Sequence, residues 1–218
     1  MQGNTSPREL SRAAFVAELD ALTTVYRAAM RCDPAQLPGR RLIMERHVTY
    51  DGFRALAVTA DAVGSPGGPG PRGPGPGGPE PRGGGQIIAF SYGFCGAAGQ
   101  WWHDVVTTAL AARSGRALAD AWLTDSLEIA EVHVHPDFHR RGVGRSLVLG
   151  LADGRRERTA VLSTQDANSP ARRLYRRLGF ADLLTGYCFP GTPVPYAVMG
   201  AALPLRPAPA RSPSPSRW

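Results

Sequence analysis

The segment His139-Arg140-Arg141-Gly142-Val143-Gly144 carries the clearest chemical signal in the sequence, and the chemistry is anion binding. Leu127 to Val134 reads as a strand that leads into it. Val143, Leu147 and Leu151 recur at helical spacing, so a helix is expected from Val143 to Asp153. The start of a helix leaves about four backbone N–H groups without intrahelical partners and carries about half a positive charge. Gly142 and Gly144 let a phosphate approach the backbone, while Arg140, Arg141 and Arg145 surround it with cations. Phosphate or pyrophosphate is the ligand such a turn suits. The dinucleotide pattern GxGxxG is absent, and a Walker loop needs a lysine, a residue type the chain lacks.

A second signal lies on the strand itself. Glu131 stands among Val132 and Val134, where a buried carboxylate is costly unless it faces an open cleft. Glu128 is its competitor. Strand alternation over three residues sends Glu128 to the opposite face, where it could pair with an arginine. His133, His135 and His139 cluster nearby, but no acidic partner or fourth ligand stands at useful spacing, so no metal is expected.

The elements that must hold these residues read as mixed α/β. Phe15 to Met30 has helical spacing through Phe15, Leu19, Leu22, Val25 and Tyr26, and Arg40 to His47 suggests a second helix. Phe53 to Ala60 and Gln86 to Phe94 read as a strand pair. A helix is expected over Trp101 to Arg113, and a short buried strand over Thr159 to Thr164. Pro170 to Leu178 reads as a helix with Ser169 as its cap, Pro170 at its first position and Gly179 as its stop. Leu183 to Phe189 and Tyr196 to Leu203 complete the sheet.

Two segments fall outside the expected domain, residues 1–203. Residues 64–85 hold 18 Gly or Pro in 22 positions, without the strict three-residue period of collagen, and are expected to form a disordered insertion between strands. Residues 204–218 are a Pro/Ser/Arg tail of the same character. The 218 residues suit one domain, and 43% apolar content suffices for a core. No apolar run approaches a membrane span and no secretory signal opens the chain, so a soluble cytoplasmic protein is expected. Cys32, Cys95 and Cys188 are widely separated and expected to be free thiols. The net charge of +7 comes from scattered arginines without a recognition motif, which argues against nucleic acid as a partner.

The loop resembles the Gln/Arg-x-x-Gly-x-Gly/Ala signature of the GNAT superfamily of N-acetyltransferases, with His139 where Gln or Arg is usual. The stretch Asn168-Ser169-Pro170-Ala171-Arg172-Arg173-Leu174-Tyr175-Arg176-Arg177-Leu178-Gly179-Phe180 is similar to the family's second signature, Asn-x-x-Ala-x-x-Leu-Tyr-x-x-x-Gly-Phe. The likeness covers residues 86–203 well and 12–62 more loosely. It implies the GNAT fold: an α/β (α+β) architecture with a mixed, mostly antiparallel sheet, flanked by helices and splayed around its central strand.

The resemblance also implies acetyl-CoA as acyl donor and direct transfer to a primary amine of a small molecule or a peptide. Its pyrophosphate would lie on the loop from His139 to Arg145. Its pantetheine arm would pair with the backbone of Val132, His133 and Val134, and Asn168 would touch that arm. Transfer needs a neutral amine, a stabilised oxyanion and a protonated leaving thiol. Tyr175 is the expected general acid. It lies beside a stripe of Ala171, Leu174 and Leu178 expected to face the sheet. Glu131 is the expected general base, acting through water. Trp101, Trp102, His103 and Asp104 are candidates for the acceptor side. The resemblance leaves open a homodimer, and also a non-catalytic acyl-CoA-binding regulatory module of the same fold.

Overall fold

The computed structural model of the protein describes residues 6–60 and 85–206. The Gly/Pro-rich insertion and most of the Pro/Ser/Arg tail lie outside the described residues. Seven strands form one sheet in the order β1-β2-β3-β4-β5-β7-β6: β1 Arg8–Leu10, β2 Arg54–Ala60, β3 Gln86–Cys95, β4 Ser126–Val134, β5 Thr159–Gln165, β6 Ala181–Cys188 and β7 Pro195–Ala202. Every neighbouring pair is antiparallel except β4 and β5.

Helices cover both faces. On one lie α6, Val143–Ala152, and α7, Pro170–Arg177, whose Leu147, Leu151, Tyr175 and other apolar residues share a core with Leu127, Ile129 and Leu162 of the sheet. Leu203 and Leu205 pack against this layer too. The other face is divided. Helices α1, Arg12–Ala17, α2, Leu19–Met30, and α3, Leu37–His47, cover β1 to β4 around Phe90, Tyr92 and Phe94. Helices α4, Trp101–Ser114, and α5, Arg116–Leu123, cover β5 to β7 around Val161, Leu184 and Val198.

The elements differ from those expected at several points. The helix expected from Phe15 to Met30 is two helices, because Glu18 leaves helical geometry (φ −97, ψ 5). Ser11 caps the first by accepting from the Ala14 N–H at 3.1 Å. Strand β1 and helix α5, three and eight residues long, fall outside the elements expected from the sequence. On α7 Leu178 is buried and Leu174 packs against the core, as the expected stripe has it, whereas Ala171 is exposed and Arg172 is buried beside Tyr175. Arg172 is held inward by ion pairs to Asp166 and Asp182.

Candidate active site

The cleft arises from strand pairing. Parallel pairing of β4 with β5 covers only Ser126, Leu127 and Glu128, the last opposite Val161. Beyond it β5 stays with β7 and β4 stays with β3, so the two strands part. The His135 N–H donates to the Ile88 carbonyl at 2.8 Å. Backbone polar groups alternate in direction along a strand, so those of Val132 and Val134 point away from β3 and into the gap. His133 turns its own backbone toward Phe90 of β3, a difference from the expected three-residue run.

The loop from His139 to Gly144 lies where β4 leaves the sheet. Arg140 adopts φ +61 and Gly142 φ +80, and α6 starts at Val143. No side chain caps this helix, so its first-turn amides keep their donor capacity. The first helical bond runs from the Ser146 N–H to the Gly142 carbonyl at 3.1 Å. Gly142 is required for its left-handed backbone rather than for space, since a Cβ there would meet nothing within 4 Å. His139, the residue that departs from the family signature, uses Nε2 to bond the Val134 carbonyl at 2.9 Å. It fastens the loop to the strand. Arg141 turns back, donating to the Asp137 carbonyl at 3.1 Å and lying 4.9 Å over the Phe138 ring. Arg140 and Arg145 are exposed beside the turn.

A β-bulge in β4 decides where the carboxylates go. Glu128 stands opposite Phe94 and Glu131 opposite Tyr92, with the register slipping between them. Phe94 and Tyr92 share one face, so Glu128 and Glu131 share it as well, correcting the opposite faces expected from plain alternation. Glu131 receives a hydrogen bond from Arg40 Nη1 at 2.8 Å and is tightly bonded to His133 Nε2. Burial pushes its carboxyl up, but His133, Arg40 and His47 pull it below the ordinary range. Glu128 is 4% exposed and has no ion-pair partner among the described residues. Burial raises its carboxyl to about 8.

Around Glu131 the sequence concealed a network. The Arg40 guanidinium lies 4.8 Å from the Tyr26 ring, and His47 Nδ1 is 3.1 Å from the Tyr92 hydroxyl. Burial lowers His47 to about 4, against the pull of Glu131. The spacing of Arg40 and His47, seven residues apart on one helix face, was the available signal. The histidine on β4 also has the acidic partner that sequence spacing did not reveal, Glu131 two residues before it.

Tyr175 is 7% exposed and packs against Phe180 with ring centroids 5.8 Å apart. Burial, followed by the charge of Glu131, lifts its phenol to about 12, so it is protonated at neutral pH. Asn168 is exposed before α7, where Arg173 donates to its carbonyl and side-chain oxygens at 2.9 Å each. Of the α4 candidates, Trp102 Nε1 donates to Ser163 of β5 at 3.1 Å. Trp101 is 57% exposed against Phe189, and Asp104 accepts from the Gly99 N–H. His103 is buried beside Gly96 and Ser126 rather than in the gap.

Comparison with known proteins places this geometry. The family described as FR47-like protein matches residues 110–189. The GCN5-like protein acetyltransferase Rv2170 of Mycobacterium tuberculosis is 35% identical over 190 residues, 85% of this chain and 91% of the relative. The chain belongs to the GNAT acetyltransferases. It is an acyltransferase with the acetyl-CoA-binding fold of that family. Solved members share the fold at low identity. The ribosomal-protein-S18-alanine N-acetyltransferase of Escherichia coli has TM-score 0.55 and 14% identity, with 94% of this chain and 98% of the other covered. The PaiA N-acetyltransferase of Thermoplasma acidophilum, in complex with coenzyme A, has TM-score 0.53 and 11% identity, covering 90% and 99%. Among the described residues, no helix is long and apolar enough to cross a membrane.

Proposed function

We propose that this GNAT enzyme moves the acetyl group of acetyl-CoA to a primary amine, most readily one carried by a peptide or protein, by direct attack with both substrates bound. The observation that carries the reading is the parting of β4 and β5 after Glu128, which turns the backbone of Val132 and Val134 toward the uncapped start of α6. An extended thioester arm can pair there as an added strand. Its diphosphate then meets the amides of Val143, Gly144 and Arg145, with Arg140 and Arg145 supplying charge. The preference for a protein acceptor rests on the name of the 35% identical relative, a protein acetyltransferase.

Two of the three chemical needs have a group on this chain. An N–H of the Val132–Val134 stretch donates to the oxyanion that forms at the thioester carbonyl. Tyr175, protonated at neutral pH, gives its proton to the departing thiolate. Glu131, held as an anion by Arg40 and His133, places fixed negative charge on the acceptor side.

Calorimetric titration with acetyl-CoA, followed by thiol release in the presence of lysine peptides, N-terminal peptides and spermidine, tests the reading. Amine-dependent thiol release with a stoichiometric acetylated product is expected. Coenzyme binding without release on any amine would favour a regulatory acyl-CoA-binding module instead.

A further inference from the structure

A cavity of about 470 Å³ lies at the end of the sheet away from the turn at His139 to Gly144. It is bounded by α4, by α5 and by the turn that follows β3 at Gly96. Strand β4 runs nine residues from Ser126, beside the cavity, to Val134, a span of about 26 Å at about 3.3 Å per residue. The volume falls within the range of about 300–1,000 Å³ usual for small-molecule sites.

The lining is polar. His103, Asp104, Thr107 and Thr108 stand at positions i, i+1, i+4 and i+5 of α4, and Arg116 and Asp120 stand one turn apart on α5. The fold leaves polar atoms of two of these side chains unused. His103 is 8% exposed, and its Nδ1 is buried with no hydrogen-bond partner among the described residues. The Thr107 Oγ1 is buried and unpartnered as well. Its neighbour Thr108 shows the ordinary solution, donating to the Asp104 carbonyl one turn back at 2.8 Å. Buried polar groups without partners are costly, so a wall with a purely structural role would be apolar. Gly96 makes room for the imidazole, because a Cβ there would stand 2.9 Å from His103 Nδ1 and 2.6 Å from Ser126 Oγ.

The charges around the cavity are only loosely committed. Asp120 accepts from Arg116 Nε at 2.8 Å, and the two terminal amino groups of Arg116 have no partner among the described residues. With side chains 76% and 47% exposed, this pair stabilises little, and its members can re-pair with a ligand at small cost. Asp104 holds one N–H, that of Gly99, shared between its two oxygens at 3.1 Å each. Burial lowers the proton affinity of His103 against the pull of Asp104, so the imidazole is neutral at neutral pH. The cavity therefore presents two carboxylates, one guanidinium and two neutral polar groups.

We propose that this cavity binds a basic α-amino acid, at a site separate from the acyl-transfer cleft. The terminal amino groups of Arg116 form a fork that matches the α-carboxylate. Asp104 takes the α-ammonium. Asp120, the second carboxylate, selects a side chain with a positive charge of its own, and His103 and Thr107 offer hydrogen bonds from the inner wall. The assignment is independent of the transferase reading above.

Calorimetric titration of the full-length protein with L-arginine, glycine and L-glutamate, without acetyl-CoA, tests it. L-Arginine should bind, and L-glutamate should bind at least about tenfold more weakly, the factor that one hydrogen bond to a charged group supplies. Amide NMR shifts on adding L-arginine should centre on residues 96–98, α4 and α5. Arg116→Gln should weaken L-arginine binding at least about tenfold. Thr107→Val should weaken it severalfold at an unchanged melting temperature, because the hydroxyl has no protein partner to lose. Glu131→Gln should keep the parent's affinity for L-arginine. The proposal is overturned by a protein that binds no L-arginine up to about 10 mM, a level far above any specific affinity. It is overturned equally by shifts centred on Val132 to Val134, by equal affinity for L-glutamate, or by unchanged L-arginine affinity in both Arg116→Gln and Thr107→Val.

Discussion

Arg40 Nη1 stands 2.8 Å from Glu131 Oε1, a link between the third helix and the central strand across 91 residues of sequence. Glu131 is 10% exposed in its side chain and Arg40 31%. Among the described residues, removing the arginine leaves His133 as the remaining partner of a mostly buried carboxylate. A fully buried pair broken in this way loses about 3–5 kcal/mol, and the partial exposure of Arg40 reduces the expected loss for Arg40→Ala to about 2 kcal/mol. Urea unfolding at pH 7 measures it. The folded Glu131 carboxyl lies below its ordinary value, so its stabilisation is present above the unfolded carboxylate range and fades as pH falls through the folded value. The gap between parent and variant should therefore shrink below pH about 4. A gap that stays constant to pH 2 would show that the charge pair is not its source.

Tyr175→Phe keeps the ring that packs against Phe180 and removes only the hydroxyl. Turnover should fall at least about tenfold, the low end of what one proton-transfer group contributes, while the acetyl-CoA affinity changes less than about twofold. Single-turnover thiol release and calorimetry separate the two quantities. Equal losses in binding and turnover would mean that the phenol holds the coenzyme instead of protonating sulfur.

The turn at Gly142 permits a test of the anion site that leaves every charge in place. Gly142→Ala puts a Cβ into open space but on a backbone with φ +80, which costs about 1–2 kcal/mol for a residue other than glycine. If the turn relaxes to relieve that strain, the α6 amides lose their alignment, and coenzyme A should bind at least about tenfold more weakly than to the parent, one decade being about 1.4 kcal/mol. Arg140→Ala should also weaken binding, through charge, and its loss should diminish with added salt. Affinity for coenzyme A unchanged in both variants would move the phosphates elsewhere.

What the sequence revealed and what it hid follow from the range of the interactions. The loop from His139 to Gly144, the cap at Ser169 and the helix from Val143 are local, so residue types within a few positions specify them. The shared face of Glu128 and Glu131 depends on a bulge in β4, and no residue there signals it: Ala130, the extra position, is an ordinary strand neighbour. The Arg40–Glu131–His133 network joins a helix to a strand far along the chain, which periodicity cannot pair. Arg172 stands in an arginine-rich stretch of the sequence, yet it is 7% exposed. Its burial depends on Asp166 before the helix and Asp182 after it, both of which lie outside the motif that drew attention to the segment.

That buried arginine yields the last expectation. Arg172 lies one residue short of a helical turn before Tyr175, and its guanidinium joins Asp166 to Asp182, while Arg176 also reaches Asp182 at 2.9 Å. Asp166 in addition accepts from the Gly186 N–H at 2.7 Å, so the cluster ties the start of α7 to strand β6. Arg172→Met preserves the length and packing of the stem but leaves two aspartates facing each other. The expected loss is about 2 kcal/mol of stability, because a partly buried like-charge pair remains. The helix should also lose its fixed tilt, which would carry the Tyr175 hydroxyl off its line to the sulfur. Turnover should then fall severalfold while the acetyl-CoA affinity, proposed to rest on β4 and the α6 amides, stays near that of the parent. Pairing Arg172→Met with Asp182→Asn removes the repulsion and should recover stability. If the double variant regains stability without regaining turnover, Arg172 positions Tyr175, the proposed acid; if both recover together, its contribution is to folding alone.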